Sequence, residues 1–237
     1  MKAVIQAGGQ GARLRPYTLV LPKPMMPVGD LPVIELLLGW LKRNGIEEVT
    51  VTTGHLGSLI QALCGDGSQW GLKISYTAED KPMGTLGALD MLRDELTEPF
   101  LVLNGDLLTD LDLRAFRRFH LNHQDPLTVA VKATPVPINM GVFEFDDKTG
   151  QIEDFREKPV LNYNFNMGIY CMDPSILERI PTGLSFGFDD LIYSMLDDNA
   201  SARVFVHEGE FLDIGRPEDY KKAQSMVAEG RLPNFGT

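Results

Sequence analysis

The chain opens with a short apolar run, Ala3-Val4-Ile5-Gln6. It breaks into Ala7-Gly8-Gly9-Gln10-Gly11-Ala12-Arg13-Leu14-Arg15-Pro16 and then reaches Pro22-Lys23-Pro24. Such a start predicts a buried strand whose carboxyl end turns on glycines. Without side chains at Gly8, Gly9 and Gly11, backbone N–H groups are open to a polyanion, and Arg13, Arg15 and Lys23 add positive charge within reach. The stretch reads as a phosphate cradle. Taken alone it also fits a glycine-rich turn with solvated basic residues, so its company decides.

The pattern that follows alternates. Helical periodicity over 32–42 closes at Asn44-Gly45, a strand follows over 48–53, a helix over 58–64, a strand over 72–76, a helix over 85–95 and a strand over 100–103. That last strand ends at Asn104-Gly105-Asp106. Repeated βα units predict an α/β fold with a doubly wound, Rossmann-like mixed sheet, in which ligands gather beyond the carboxyl ends of strands. Beyond a helix over 112–120 the pattern shifts to short runs at 127–133, 140–145, 152–156 and 166–171, richer in antiparallel strand. Helices over 174–180 and 189–196, strands over 203–207 and 210–212 and a helix over 217–229 complete it.

No Ser/Gly/Pro-rich linker divides the 237 residues, which predicts a single domain over 1–237. A net charge of −11 argues against nucleic acid as a partner. A small anion on so acidic a chain needs local cations, or a divalent metal held by carboxylates. Cys64 and Cys171 sit in apolar patterns and suggest neither disulfide nor zinc. With no long apolar segment and no cleavable leader, the expectation is a cytoplasmic protein without a membrane partner. His55, His120, His123 and His207 match no metal spacing and read as structural.

The glycine loop has neither the spacing of a Walker A loop nor that of a dinucleotide fingerprint, which also removes a nicotinamide-dependent oxidoreductase from consideration. Further stretches stand out in order along the chain: Gly84-Thr85-Leu86-Gly87, Asn104-Gly105-Asp106, Glu157-Lys158-Pro159, Asn166-Met167-Gly168 and Phe211-Leu212-Asp213-Ile214-Gly215. Together with the opening loop and Pro22-Lys23-Pro24, they resemble the motifs of the sugar-phosphate nucleotidylyltransferases over nearly the whole chain. The resemblance implies an enzyme that joins a nucleoside triphosphate to a sugar 1-phosphate and releases pyrophosphate. Ala12 departs from it, standing where the family usually has threonine.

The resemblance also implies roles, with a nucleotide-binding half over 1–112 and a sugar-phosphate-binding half over 113–237. Arg13 and Lys23 would neutralise the triphosphate and the leaving pyrophosphate, with Gly8, Gly9, Gly11, Gly84 and Thr85 lining the nucleotide. Asp106 and Asp213 would hold Mg²⁺. Lys158 would receive the sugar phosphate, and Gly141, Glu157 and Asn166 would contact the sugar. Because the attacking oxygen is already anionic, no general base is needed. Asp112 reads as a helix cap and is left out of the metal site, as is Asp110. Glu79 offers a carboxylate that matches the adjacent N1–H and N2–H donors of guanine, which favours GTP and a manno-configured hexose or heptose 1-phosphate. Thymidylyl and uridylyl transfer stay open, as does a non-catalytic regulatory subunit that binds nucleotide sugars. Family members are often oligomers, which implies self-association.

Overall fold

The structure is a computed structural model and describes residues 1–9 and 11–231. Gln10 of the glycine loop and the last six residues of the expected domain lie outside the described residues. In chain order the first half holds β1 (Ala3–Ala7), the short ribbon of β2 (Pro27–Val28) and β3 (Leu31–Pro32), then α1 (Val33–Arg43), β4 (Glu48–Thr53) and α2 (Gly57–Cys64). It continues with β5 (Lys73–Ala78), β6 (Phe100–Asn104) and β7 (Leu107–Thr109). The second half holds α3 (Leu113–Leu121), β8 (Leu127–Pro137), β9 (Val142–Phe145), β10 (Ile152–Arg156) and β11 (Val160–Met172). After these come α4 (Phe188–Asp197), β12 (Arg203–His207), β13 (Phe211–Asp213) and α5 (Pro217–Ala228).

One seven-stranded sheet spans both halves in the order β12-β8-β11-β6-β1-β4-β5. β6, β1, β4 and β5 are mutually parallel, and β11 alone runs against its neighbours β6 and β8. Alternate residues of β1 feed opposite apolar layers: Ile5 packs with Leu37, Val51 and Leu103 on one face, and Val4 with Leu86, Leu89 and Val102 on the other. This two-sided burial is what an apolar strand in a parallel sheet requires. α1 forms because Val33, Ile34, Leu37, Leu38 and Leu41 recur at helical spacing, with Lys42 and Arg43 favourable at its carboxyl end. It stops at Gly45, whose φ of +81° suits glycine, while Ile46 N–H donates to Leu41 C=O. Among the described residues no helix is long and apolar enough to cross a membrane.

The expected helix over 85–95 is instead a 3₁₀ segment, Gly87–Leu92. The N–H groups of Leu86 and Gly87 donate to Phe186 C=O, at 2.9 and 3.1 Å, and these cross-chain bonds hold the segment's entry away from α geometry. The helix expected over 174–180 is likewise 3₁₀, over Pro174–Arg179. The runs at 127–133 and 166–171 belong to longer strands, because β8 and β11 keep pairing beyond the main sheet from Val131↔Asn166 out to Pro137↔Val160. β7 was not legible in the sequence. It exists through its pairing with β13, which sets Leu107 opposite Asp213.

Candidate active site

The strand order places β4 and β5 on one side of β1 and β6 on the other, so the carboxyl ends of β1 and β6 flank the switch point of the sheet. Gly8 and Gly9 follow β1, Glu79 follows β5, and Asp106 lies two residues past β6. A cavity of about 400 Å³ opens there and brings together Gly8, Gly9, Lys23, Glu79, Gly84, Thr85 and Asp106. Every residue lining it falls between 6 and 106.

Glu79 is fixed at both ends. Its N–H donates to Thr53 C=O at 2.7 Å, and Met83 N–H donates to its Oε2 at 3.1 Å. A Cβ on Gly8 would stand 2.5 Å from Glu79 Oε1, so glycine is required there to seat the carboxylate. Burial pushes the Glu79 carboxyl above the ordinary carboxylate range, with the Met83 hydrogen bond opposing. Gly84 has φ +73° and lies so close to Phe186 C=O that a Cβ would meet its oxygen at 2.7 Å. Thr85 is a cap as well as a wall: its hydroxyl accepts from Phe188 N–H at 2.8 Å, at the start of α4. Gly11 lies outside the cavity lining. With φ +61° it shapes the turn that carries Arg13, and its C=O accepts from the Thr18 hydroxyl at 2.8 Å.

At the cavity's edge Arg13, Lys23, Asp106 and Asp213 form one cluster. The Lys23 ammonium pairs with Asp106 and lies 3.7 Å from Asp213 Oδ1, while Arg13 Nη2 is 3.8 Å from Asp213 Oδ2. A Cβ at Gly215 would overlap the Lys23 ammonium, so a side chain there would displace Lys23 from this position. Desolvation pushes the buried Asp106 carboxyl up, Lys23 pulls it back and Asp213 adds to the rise. Lys23 thus stands within reach of two carboxylates in a site that attracts cations. The oxygen-only donors suit a hard divalent ion. Among the described residues no three metal-ligating side chains gather, so such an ion would keep positions for substrate oxygens and water.

A second cavity of about 760 Å³ shares Asn104 and Asp106 with the first. Asn166 and Asp213 line it. Asn166 Nδ2 donates to the Tyr170 hydroxyl at 2.9 Å, and its Oδ1 accepts from Gly168 N–H at 2.8 Å. Gly168, at φ +68°, presses on Asn104 where a Cβ would clash. Gly141, Glu157 and Lys158 line neither cavity. Gly141 faces the Phe155 ring and Glu157, and Lys158 sits between β10 and β11 with φ +46°. Sequence reasoning missed the basic residues Lys132, Arg216 and Lys222 in this cavity's lining. For Lys132 the signal was weak: it shares a strand face with Thr134 and Val136, which also line the cavity.

The residues read as structural have structural work. Asp112 caps α3 by accepting from Arg114 and Ala115 N–H at 2.9 and 3.0 Å. Asp110 accepts from Glu210 N–H at 2.7 Å and meets the His207 ring at 2.8 Å. His120 is buried against Thr128, and desolvation lowers its pKa. Cys64 and Cys171 are free and buried, which pushes both thiols up to about 12.

The model of the nucleotidyl transferase family matches residues 2–230. The chain is 33% identical to the probable mannose-1-phosphate guanylyltransferase 1 of Oryza sativa subsp. japonica, over 97% of this chain and 69% of that protein. It is 32% identical to the UTP–glucose-1-phosphate uridylyltransferase of Synechocystis, over 99% of this chain and 65% of that one. The chain therefore spans about two thirds of these relatives' length. Among solved structures, HddC from Yersinia pseudotuberculosis complexed with GMP-PN superposes with a TM-score of 0.73 at 25% identity, covering 95% of this chain and 99% of that one. With the switch-point cavity and its acid–cation cluster already in place, the match settles the family: this chain belongs to the nucleotidyl transferases, among the enzymes that join nucleotides to sugar 1-phosphates.

Proposed function

We propose that the protein transfers a guanylyl group from GTP to a manno-configured hexose or heptose 1-phosphate, with Mg²⁺. The observation that carries the base is Glu79, whose carboxylate borders the first cavity between Gly8 and Met83. Guanine presents two adjacent N–H donors to such a carboxylate, whereas uracil and thymine present acceptor, donor and acceptor. The names of the rice relative and of the HddC complex support the same base, and the cyanobacterial relative's name supports uridylyl transfer as the second reading. The sugar configuration rests on the rice relative's name.

In this reading the nucleotide enters the first cavity and the sugar 1-phosphate the second, so that they meet at Asn104 and Asp106, which belong to both. A phosphate oxygen of the sugar 1-phosphate bonds to the α-phosphorus as the bond to pyrophosphate breaks. Two anions must be held together against their repulsion. Lys23 and Arg13 neutralise the triphosphate, and the backbone N–H groups of Gly8 and Gly9 face it. Asp106 and Asp213 would hold Mg²⁺, which when bound offsets the phosphate charge. Asn166, in the lining of the second cavity, contacts the sugar.

The test is pyrophosphate release with Mg²⁺, crossing GTP, dTTP, UTP, CTP and ATP against a panel of hexose and heptose 1-phosphates. A GTP signal with one manno-configured phosphate is expected. A preference for UTP or dTTP would discard the guanine reading and keep the family, while nucleotide-sugar binding without turnover would favour a regulatory subunit.

A further inference from the structure

Gln6 belongs to none of the motifs, yet it borders the nucleotide cavity from the middle of the sheet, where it pairs with Thr52 on β4 and Asn104 on β6. Its side-chain Nε2 and Oε1 are both shut off from solvent, and neither has a hydrogen-bond partner among the described residues. It is also the one residue of β1 that is not fully buried; Ala3, Val4, Ile5 and Ala7 all are. Two unpaired polar atoms at the centre of a sheet are costly, and an apolar side chain would serve the core better. An amide kept there is explained by a ligand that completes its hydrogen bonds.

The position says which ligand group. Side chains alternate along a strand, so Gln6 shares a face with Val4, which packs against Leu86 and Leu89 next to the 84–87 loop. Two residues further along, the absent side chain of Gly8 leaves the space taken by the Glu79 carboxylate. The Glu79 carboxylate therefore lies against Gly8, two residues along the chain from Gln6, and both side chains border the same cavity. Guanine carries the O6 acceptor beside N1–H and N2–H. A carboxylate that takes the two N–H groups leaves O6 in need of a donor.

We propose that Gln6 is a base-reading residue, turning its side chain so that Nε2 donates to guanine O6 while Glu79 accepts from N1–H and N2–H. The inference rests on the guanylyl reading above and deepens it. A carboxylate alone favours adjacent donors; carboxylate and amide together match the three-group edge of guanine and set an acceptor against an acceptor for uracil or thymine.

Gln6→Met, close to glutamine in length and without polar side-chain donors, separates this role from packing. The expected result is a ligand-free thermal midpoint equal to or above wild type, a KM for GTP raised roughly tenfold, and an unchanged KM for the sugar 1-phosphate. Inosine triphosphate keeps O6 and N1–H but lacks the 2-amino group, so Gln6→Met should cost the same factor with it as with GTP. Glu79→Gln should cost less with inosine triphosphate than with GTP. Gln6→Asn, one methylene short of the base, is the second variant and should show the same loss for GTP. A KM for GTP within twofold of wild type in either folded variant overturns the proposal. So does a lowered midpoint with both substrates weakened together, or a penalty that vanishes with inosine triphosphate. Wild-type protein that does not prefer GTP to UTP would instead remove the guanylyl reading itself, whatever the Gln6 variants do.

Discussion

The two groups of candidate site residues sit on opposite kinds of structure. In the first half β1 is buried on both faces, with Ile5 and Val4 at 0% exposure, and its carboxyl end runs straight into the cavity wall. In the second half the β9–β10 hairpin stands as a separate two-stranded ribbon, and Phe143, Phe145, Ile152 and Phe155 share one of its faces at 48–63% exposure. Glu144, Asp154 and Arg156 form its other face, with Arg156 paired to Glu144. A two-stranded ribbon has little to stabilise it alone. The contrast explains why Gly8, Lys23, Glu79 and Asp106 converge on one cavity, whereas Glu157 and Lys158, which follow β10, line neither cavity. Positions carried by packed strands are set by many neighbours at once, and positions at the end of a ribbon by few.

The sharpest test of that contrast is chemical. Asp106→Asn and Asp213→Asn should each lower kcat by on the order of a thousandfold, with the circular-dichroism spectrum preserved. Near-normal turnover in either variant would remove that carboxylate from the metal site. Next comes stability. Leu37→Ala, in the layer under β1, should cost about 2–5 kcal/mol in urea unfolding, and Phe145→Ala on the hairpin under about 1 kcal/mol. Equal costs would abolish the distinction between the regions.

A smaller effect is expected at Gly84, where the positive φ and the nearby Phe186 C=O oppose any side chain. Gly84→Ala should cost about 1–3 kcal/mol of stability and raise the KM for the nucleotide more than that for the sugar 1-phosphate. An equal rise in both would show that the loop serves the whole site. The smallest effect is in pH. Burial holds the Glu79 carboxyl above its ordinary value, so as pH falls it takes up a proton while exposed carboxylates are still ionised, and under the proposed guanylyl function its acceptors for the base weaken. The KM for GTP should therefore rise on acidification from above the usual carboxylate range, and Glu79→Gln should flatten that limb. The linked effect on stability has the opposite direction. Between the unfolded and folded values the folded state binds more proton than the unfolded, so this group's contribution to stability falls as pH rises through that window. A KM for GTP that stays flat until the ordinary carboxylate value would detach Glu79 from the base.

Much of the fold was readable because its signals are local. The helix over 33–43 carries its own apolar stripe and its glycine stop, and Asp112 announces α3 through cap chemistry that needs only the next three residues. The 85–95 segment misled because its apolar spacing is helical, while the carbonyl that competes for its N–H groups belongs to Phe186, about a hundred residues away. β8 and β11 read short because each tail has a partner only in the other, so their polar and proline residues pair as strand where neither would be expected to alone.

The candidate site divides in the same way. The chain by itself determined the buried first strand, the glycines at its end, the alternation that builds the parallel sheet and the acids and bases of the motifs, because periodicity and turn chemistry act between near neighbours. Only the tertiary structure decided that Asp213 reaches Lys23 beside Asp106, through the pairing of β13 with β7, and that Gln6 is left with an unpaired amide at the cavity wall. Those outcomes depend on which distant strands meet and in what register, and no local pattern carries that information.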